Sequence, residues 1–229
     1  MPAKNALKNY QENSFYHIYN RGVEKRIIFE NSQDYLVFLS YLKEYLTPKN
    51  EKELCNRLSD PKIGSIERDK IIKILNLNNF SDEINLLAYC LMPNHFHFLL
   101  KQKKQNSIDR FMRSICTRYT MYFNKKYKRV GSLYQGVYKA VIIKKENQFL
   151  HLTRYIHQQA LAFDNQILDG YNGQPCSYWE YVEKRRIEWI KPQEILSYFS
   201  ENNPKLSYAN FVNEKNNSEI MQDLILEEY

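Results

Sequence analysis

Apolar and aromatic residues cluster in Phe15-Tyr16-His17-Ile18-Tyr19 and predict a first strand, closed by Asn20-Arg21-Gly22, where Gly22 is free to take a turn conformation. The period then lengthens. Tyr35, Phe38, Leu39, Leu42, Tyr45 and Leu46 recur at helical spacing, with Ser32 or Asp34 as the opening residue. Thr47 to Asp82 is charged and rich in Asn and Lys, with two short helical patterns at 51–58 and 66–75, the second with Ser65 as its candidate cap. It reads as an excursion inserted between a helix and a hairpin.

The hairpin is the most apolar stretch: Asn85-Leu86-Leu87-Ala88-Tyr89-Cys90 suits a strand, Pro93-Asn94 is turn chemistry, and Phe96, Phe98 and Leu99 suit a returning strand. After the basic turn Lys101-Gln102-Lys103-Lys104, Ser107 can cap a long helix to about Lys126. Its apolar stripe is Ile108, Phe111, Met112, Ile115, Tyr119, Tyr122 and Phe123, which reads as core rather than as a dimer face. Residues 138–143 predict a fourth strand, and a helix opened near Asn147 runs from Phe149 to about Ala162. The order strand, helix, insertion, strand, strand, helix, strand, helix is that of an α+β domain with helices laid on an antiparallel sheet. Ser177-Tyr178-Trp179-Glu180-Tyr181 packs back on it. Beyond Lys191-Pro192 a helical tail is expected at 192–199, 207–212 and 218–229, the last amphipathic through Ile220, Leu224 and Leu226. One domain over 1–185, with its insertion at about 47–82, and a helical extension over 186–229 are therefore expected.

Composition changes this picture in two ways. Among 229 residues, 33 Lys and Arg stand against 26 Asp and Glu, a net +7 that favours a polyanionic partner. The 19 Tyr and 12 Phe fill a core and can also stack on unpaired bases. Cys55, Cys90, Cys116 and Cys176 are far apart with no Cys-x-x-Cys pair, which argues against a zinc ribbon or a disulfide framework and for a reducing, cytoplasmic setting. Met1-Pro2-Ala3-Lys4-Asn5-Ala6 has no apolar leader segment, and no stretch approaches about 18 apolar residues, so export and membrane spanning are not expected.

On an extended strand His95 and His97 share one face while Phe96 and Phe98 take the other, so two imidazoles stand side by side. Such a pair either packs on the sheet or grips a divalent metal that needs a third ligand. In the helix near 155, Tyr155 and Gln159 lie one turn apart on one face. Gln159 can supply a carboxamide oxygen, completing a His-His-Gln set suited to Mg²⁺ or Mn²⁺, and Tyr155 would stand beside it. A tyrosine hydroxyl of pKa about 10 attacks phosphorus only when the phosphoryl oxygens are polarised; a helical tyrosine is otherwise core or rim. Asn20 and Arg21 at a strand end, the Arg110/Arg113 face and the basic run Lys125, Lys126, Lys128 and Arg129 are candidate phosphate contacts.

Several stretches together resemble the IS200/IS605-type single-tyrosine transposases of the HUH endonuclease superfamily, with the REP-associated branch most similar. They are His17-Ile18-Tyr19-Asn20-Arg21-Gly22 with Ile28-Phe29-Glu30-Asn31 and Asp34-Tyr35; Ala88-Tyr89-Cys90-Leu91-Met92-Pro93-Asn94-His95-Phe96-His97; Gly131-Ser132-Leu133-Tyr134-Gln135-Gly136-Val137-Tyr138-Lys139; Arg154-Tyr155-Ile156-His157; and Ser177-Tyr178-Trp179. The resemblance spans roughly 13 to 185. It implies a ferredoxin- or RRM-like HUH fold, His95 and His97 as metal ligands, Tyr155 as nucleophile and Gln159 as third ligand. The REP-associated branch usually has Asn-Pro where this chain has Gln159-Ala160. The implied activity cuts and rejoins single-stranded DNA through a 5′-phosphotyrosine, with hairpin recognition, by a monomer or a homodimer. The competing readings are a domesticated DNA- or RNA-binding protein without transposition and a metal-dependent nuclease that uses water.

Overall fold

The structure, a computed structural model, describes residues 10–162 and 173–214. Its centre is a sheet of four antiparallel strands: β1 (Ser14–Arg21), β2 (Ile84–Met92), β3 (His95–Gln102) and β4 (Lys139–Ile143), in the order β2-β3-β1-β4. Alternation sends Tyr16 and Ile18 of β1 and Phe96, Phe98 and Leu100 of β3 to one face. There α1 (Ser32–Leu46) and α4 (Ser107–Lys126) pack an aromatic core, in which Phe38 lies 5.6 Å from Phe96 and edge-on at 5.0 Å to Tyr119. Of the stripe expected on α4, Ile108, Phe111, Met112, Ile115, Tyr119 and Phe123 are buried core, while Tyr122 is partly buried against it. On the opposite face α5 (Glu146–Leu161) sets Leu152, Ile156 and Ala160 against Ala88, Cys90 and Leu99. Helices on both faces explain why β2 and β3 read as nearly continuous apolar runs rather than alternating ones.

The excursion folds as α2 (Glu51–Leu58) and α3 (Ser65–Asn76), of which only Ile71 is buried. It is anchored where it returns, through Phe80 against Tyr45 and Phe111. Gly64 occupies the cap position of α3, so Ser65 is the first helical residue instead. Likewise Asn106, at φ 62°, precedes α4, and the Ser107 hydroxyl donates to Glu83.

The chain after α5 folds back over the free edge of β2. Leu91 N–H bonds Pro175 C=O, Ser177 N–H bonds Tyr89 C=O and Lys191 N–H bonds Leu86 C=O, at 2.9, 3.0 and 2.9 Å, so this edge is partly covered. Then α6 (Tyr178–Tyr181), α7 (Gln193–Leu196) and α8 (Tyr208–Asn213) follow, and Ile195, Tyr208 and Val212 join the core beneath α5. The helix expected over 192–199 is only α7, because Tyr198 and Phe199 bond three residues back and tighten the chain into turns. The helix expected over 218–229 lies outside the described residues. Among the described residues no helix is long and apolar enough to cross a membrane.

Candidate active site

The β2–β3 hairpin turns at Pro93-Asn94, and the segment after β1 holds that turn. Gly22 N–H bonds Asn94 C=O at 2.8 Å, and the N–H groups of Ile28 and Phe29 both bond Pro93 C=O at 2.8 and 3.0 Å. Gly22 is required there for space, not for a turn conformation: its φ is −61°, and a Cβ would sit 2.2 Å from the carbonyl oxygen of Arg26. The left-handed residues are its neighbours Glu24 and Lys25.

His95 and His97 stand on the α5 face with their rings 5.0 Å apart and perpendicular. His95 is half-buried and His97 fully buried. Each Nδ1 is engaged, that of His95 by Asn94 Oδ1 at 2.6 Å and that of His97 by His17 Nε2 at 2.8 Å. The Nε2 of His97 is buried with no hydrogen-bond partner among the described residues. Burial, and then the neighbouring His17 and His95, hold the His97 imidazole well below its ordinary pKa, so it is neutral, the form that ligates metals.

The direction of α5 decides what stands opposite. Its first turns meet the start of β1 and the end of β4, with Phe149 4.5 Å from Phe15, and its last turn bonds Gln174 N–H beside the Leu91–Pro175 contact. The helix therefore runs antiparallel to β3. Tyr155, half-buried, faces His97 with ring centres 5.5 Å apart at 83°. Gln159 follows one turn later, about 6 Å along the helix, which matches the roughly 7 Å from His97 back to His95 along β3.

The neighbours of Tyr155 fix the rotation of α5. Arg154 lies over Phe211 at 3.7 Å and pairs with Glu214 at 3.1 Å. The Gln158 amide donates to the carbonyls of Val212 and Glu214. His157, fully buried, meets Tyr208 Oη at 2.7 Å through Nδ1 and Ser177 Oγ at 2.8 Å through Nε2, and burial lowers its pKa to about 3. The chain after residue 173 thus backs the helix that carries Tyr155.

The basic candidates divide between the two layers. Arg21 pairs with His95 in the β1–β3 register, and its guanidinium bonds Gln135 at the rim of a cavity of about 90 Å³ that Tyr19, Asn20, Val137 and Lys139 also line. Asn20 is buried and donates to Gly136 C=O. The other six belong to α4 and its C-terminal end, on the far layer of the sheet. There Arg110 pairs with Glu83, Arg113 with Asp109 and Lys126 with the buried Asp34; Arg129 bonds Asn124, and Lys125 and Lys128 are exposed. Sequence reasoning gave no role at the site to His17, His157 or Lys139, and read Asn94 only as a turn residue. The period-2 pattern of β1 already held His17 on the face of Tyr19, and pairing β1 with β3 would have brought it to His97.

A buried imidazole nitrogen without a partner, beside a second imidazole and a facing carboxamide-bearing helix, fits a divalent cation bound by His95, His97 and Gln159. Among the described residues no three His, Cys, Asp or Glu side chains gather as a ligand set.

The fold and site define an α+β protein with a two-histidine strand facing a tyrosine-bearing helix. Residues 61–159 match the family model described as "Transposase IS200 like". Among solved structures, the chain is similar to a REP-associated tyrosine transposase bound to a REP hairpin, with 11% identity, 82% of this chain and 92% of that chain covered, and a TM-score of 0.46. A candidate transposase of Deinococcus radiodurans R1 overlays with 16% identity, 68% and 97% coverage and a TM-score of 0.28. The tRNA(His) guanylyltransferase of Saccharomyces cerevisiae overlays with 9% identity, 96% and 80% coverage and a TM-score of 0.32. No curated protein matches the chain.

Proposed function

We infer that the chain is an IS200-like transposase that cuts and rejoins single-stranded DNA with Tyr155 as the nucleophile. The observation that carries the reading is the facing of Tyr155 and His97 at 5.5 Å, with the buried His97 Nε2 turned to no protein partner. His95, His97 and Gln159 would hold Mg²⁺ or Mn²⁺, which supplies Lewis acidity toward phosphoryl oxygens. The Tyr155 oxygen attacks the phosphorus of a phosphodiester, the bond from phosphorus to the 3′ oxygen breaks, and the departing oxygen takes up a proton as the tyrosine gives one up. The DNA is left as a 5′-phosphotyrosine and a free 3′-OH. Attack of a 3′-OH on the phosphotyrosine runs the same exchange backward, so rejoining needs no ATP.

Because the facing tyrosine and histidine belong to one chain, the reading favours a monomer that works in cis. Arg21, beside His95 in the register, supplies a cationic contact to the DNA backbone next to the scissile phosphate.

The test is a denaturing gel of wild type and Tyr155→Phe after incubation with labelled single-stranded hairpin DNA from the gene's flanks, with Mn²⁺ or with chelator. A metal-dependent, slowly migrating protein–DNA band that the variant lacks is expected, with DNA binding by the variant kept within a few-fold. Cleaved DNA without that band in wild type would transfer the attack to water. Bound but uncut DNA would make the chain a binding protein.

A further inference from the structure

A buried pair of imidazoles normally satisfies itself, yet here the bond is lopsided. His17 and His97 are both fully buried, and they meet through His17 Nε2 and His97 Nδ1 at 2.8 Å with rings 19° from parallel. Tyr19 stacks on His17 at 4.8 Å and lies 5.6 Å from His97, so both rings are held in place. The register explains the reach. Tyr19 is the direct partner of His97, and His17, two residues back on the same face, is its diagonal neighbour, close enough for two long side chains to touch.

We propose that His17 is a positioning residue for the metal site: its Nε2 accepts the Nδ1 proton of His97 and so fixes the tautomer in which His97 Nε2 presents a lone pair. The proposal rests on the functional reading above, since it needs His97 to be a ligand. Two observations carry it. First, only this assignment of the shared proton leaves His97 Nε2 as a lone pair; the opposite one puts an N–H at a buried nitrogen that has no acceptor. Second, the neighbouring ligand is built to the same plan. Asn94 Oδ1 can only accept, so the 2.6 Å contact requires the proton on His95 Nδ1 and directs its Nε2 outward in the same way. The Asn94 amide orientation is set independently, because its Nδ2 donates to Lys25 C=O at 3.3 Å. One ligand is thus oriented by the residue before it in the chain, the other by a histidine 80 positions away.

The experiment uses the full chain without DNA. Mn²⁺ affinity is measured by electron paramagnetic resonance in wild type, His17→Gln and His17→Leu, with folding of each checked by near-ultraviolet circular dichroism. In parallel, ¹⁵N chemical shifts of the histidine rings report the tautomer of His97. Expected are an Nδ1-protonated His97 in wild type, a 10- to 100-fold loss of Mn²⁺ affinity in His17→Leu, and affinity restored to within a few-fold in His17→Gln, whose carboxamide oxygen can accept the same proton. A folded His17→Leu with wild-type affinity would overturn the proposal. So would a wild-type His97 protonated on Nε2, which decides the matter even where His17→Leu does not fold. Failure of the functional reading looks different: wild type itself would bind Mn²⁺ no better than His97→Ala.

Discussion

Two fully buried polar residues, Asp34 on one face of the sheet and His97 on the other, are answered in opposite ways. In the α1/α4 layer Asp34 is fully buried and fully answered: it accepts from the Glu30 N–H, the Tyr122 and Tyr127 hydroxyls and the Lys126 ammonium, at 2.6 to 2.9 Å. In the α5 layer His97 is equally buried, but one of its two nitrogens has no partner among the described residues. Complete satisfaction makes a joint that clamps α4 to α1, and incomplete satisfaction leaves a valence for something that binds. Stability and chemistry are therefore expected to separate by face. Phe38→Ala in the aromatic layer should cost about 3–5 kcal/mol in urea unfolding while the folded fraction forms the DNA adduct normally. Tyr155→Phe should abolish the adduct and move stability by less than about 1 kcal/mol. A folded Phe38→Ala protein without adduct formation would show that the two layers are not separable.

Sequence pattern revealed the elements because their signals are local: the period of β1, the stripes of α1 and α4, and the Pro93-Asn94 turn each lie within one short window. It also put His95 and His97 on one face and Tyr155 and Gln159 on another. What it could not reveal are joints made across long separations. Lys126 read as part of a basic run that could contact phosphate because nothing near it shows that Asp34, 92 residues earlier, pairs with it. His17 read as one strand residue among several until β1 paired with β3. Gly22 read as a turn glycine, yet what forbids a side chain there is the Arg26 carbonyl oxygen and the side chains of Arg26 and Ile28. The tail from Pro192 read as separate helices, and its described part instead braces α5 through Tyr208, Val212 and Glu214.

Acid should probe both faces with one sign but in different windows. His157 has a folded pKa of about 3 against about 6.5 when exposed, so the unfolded chain takes up a proton that the folded chain refuses. Its contribution is full above pH 6.5 and is lost as the pH falls toward 3, with a slope of up to about 1.4 kcal/mol per pH unit. Burial alone would raise Asp34, but the bonds from Lys126, Tyr127, Tyr122 and the Glu30 N–H outweigh it and hold the carboxyl below its ordinary value. That contribution is present above about pH 4 and disappears only below it. Urea titrations between pH 7 and 4.5 should therefore show a falling stability whose slope His157→Gln reduces, the remainder coming from buried His97, whose pKa is also lowered. Asp34→Ala should leave that slope in place and lower the whole curve by about 1–3 kcal/mol, having taken the shared acceptor from the Glu30 N–H, the Tyr122 and Tyr127 hydroxyls and Lys126. An Asp34→Ala curve with the slope removed would assign the acid response to the wrong face.

The smallest effect concerns where DNA lies. Arg21 sits on the histidine face beside His95, whereas Lys125 is exposed on α4 across the sheet, so charge alone does not distinguish them and position must. If the strand passes over the α5 face, Arg21→Gln should weaken binding of the hairpin oligonucleotide several-fold and reduce the slope of log affinity against log salt by about 0.7, one phosphate's worth for a single strand. Lys125→Gln should leave both quantities nearly unchanged. Fluorescence anisotropy across a salt series in chelator, so that no strand is cut, measures the pair directly. The reverse result, a lost contact at Lys125 and none at Arg21, would put the nucleic acid on the clamped layer and leave the histidine face to receive only the end of the strand.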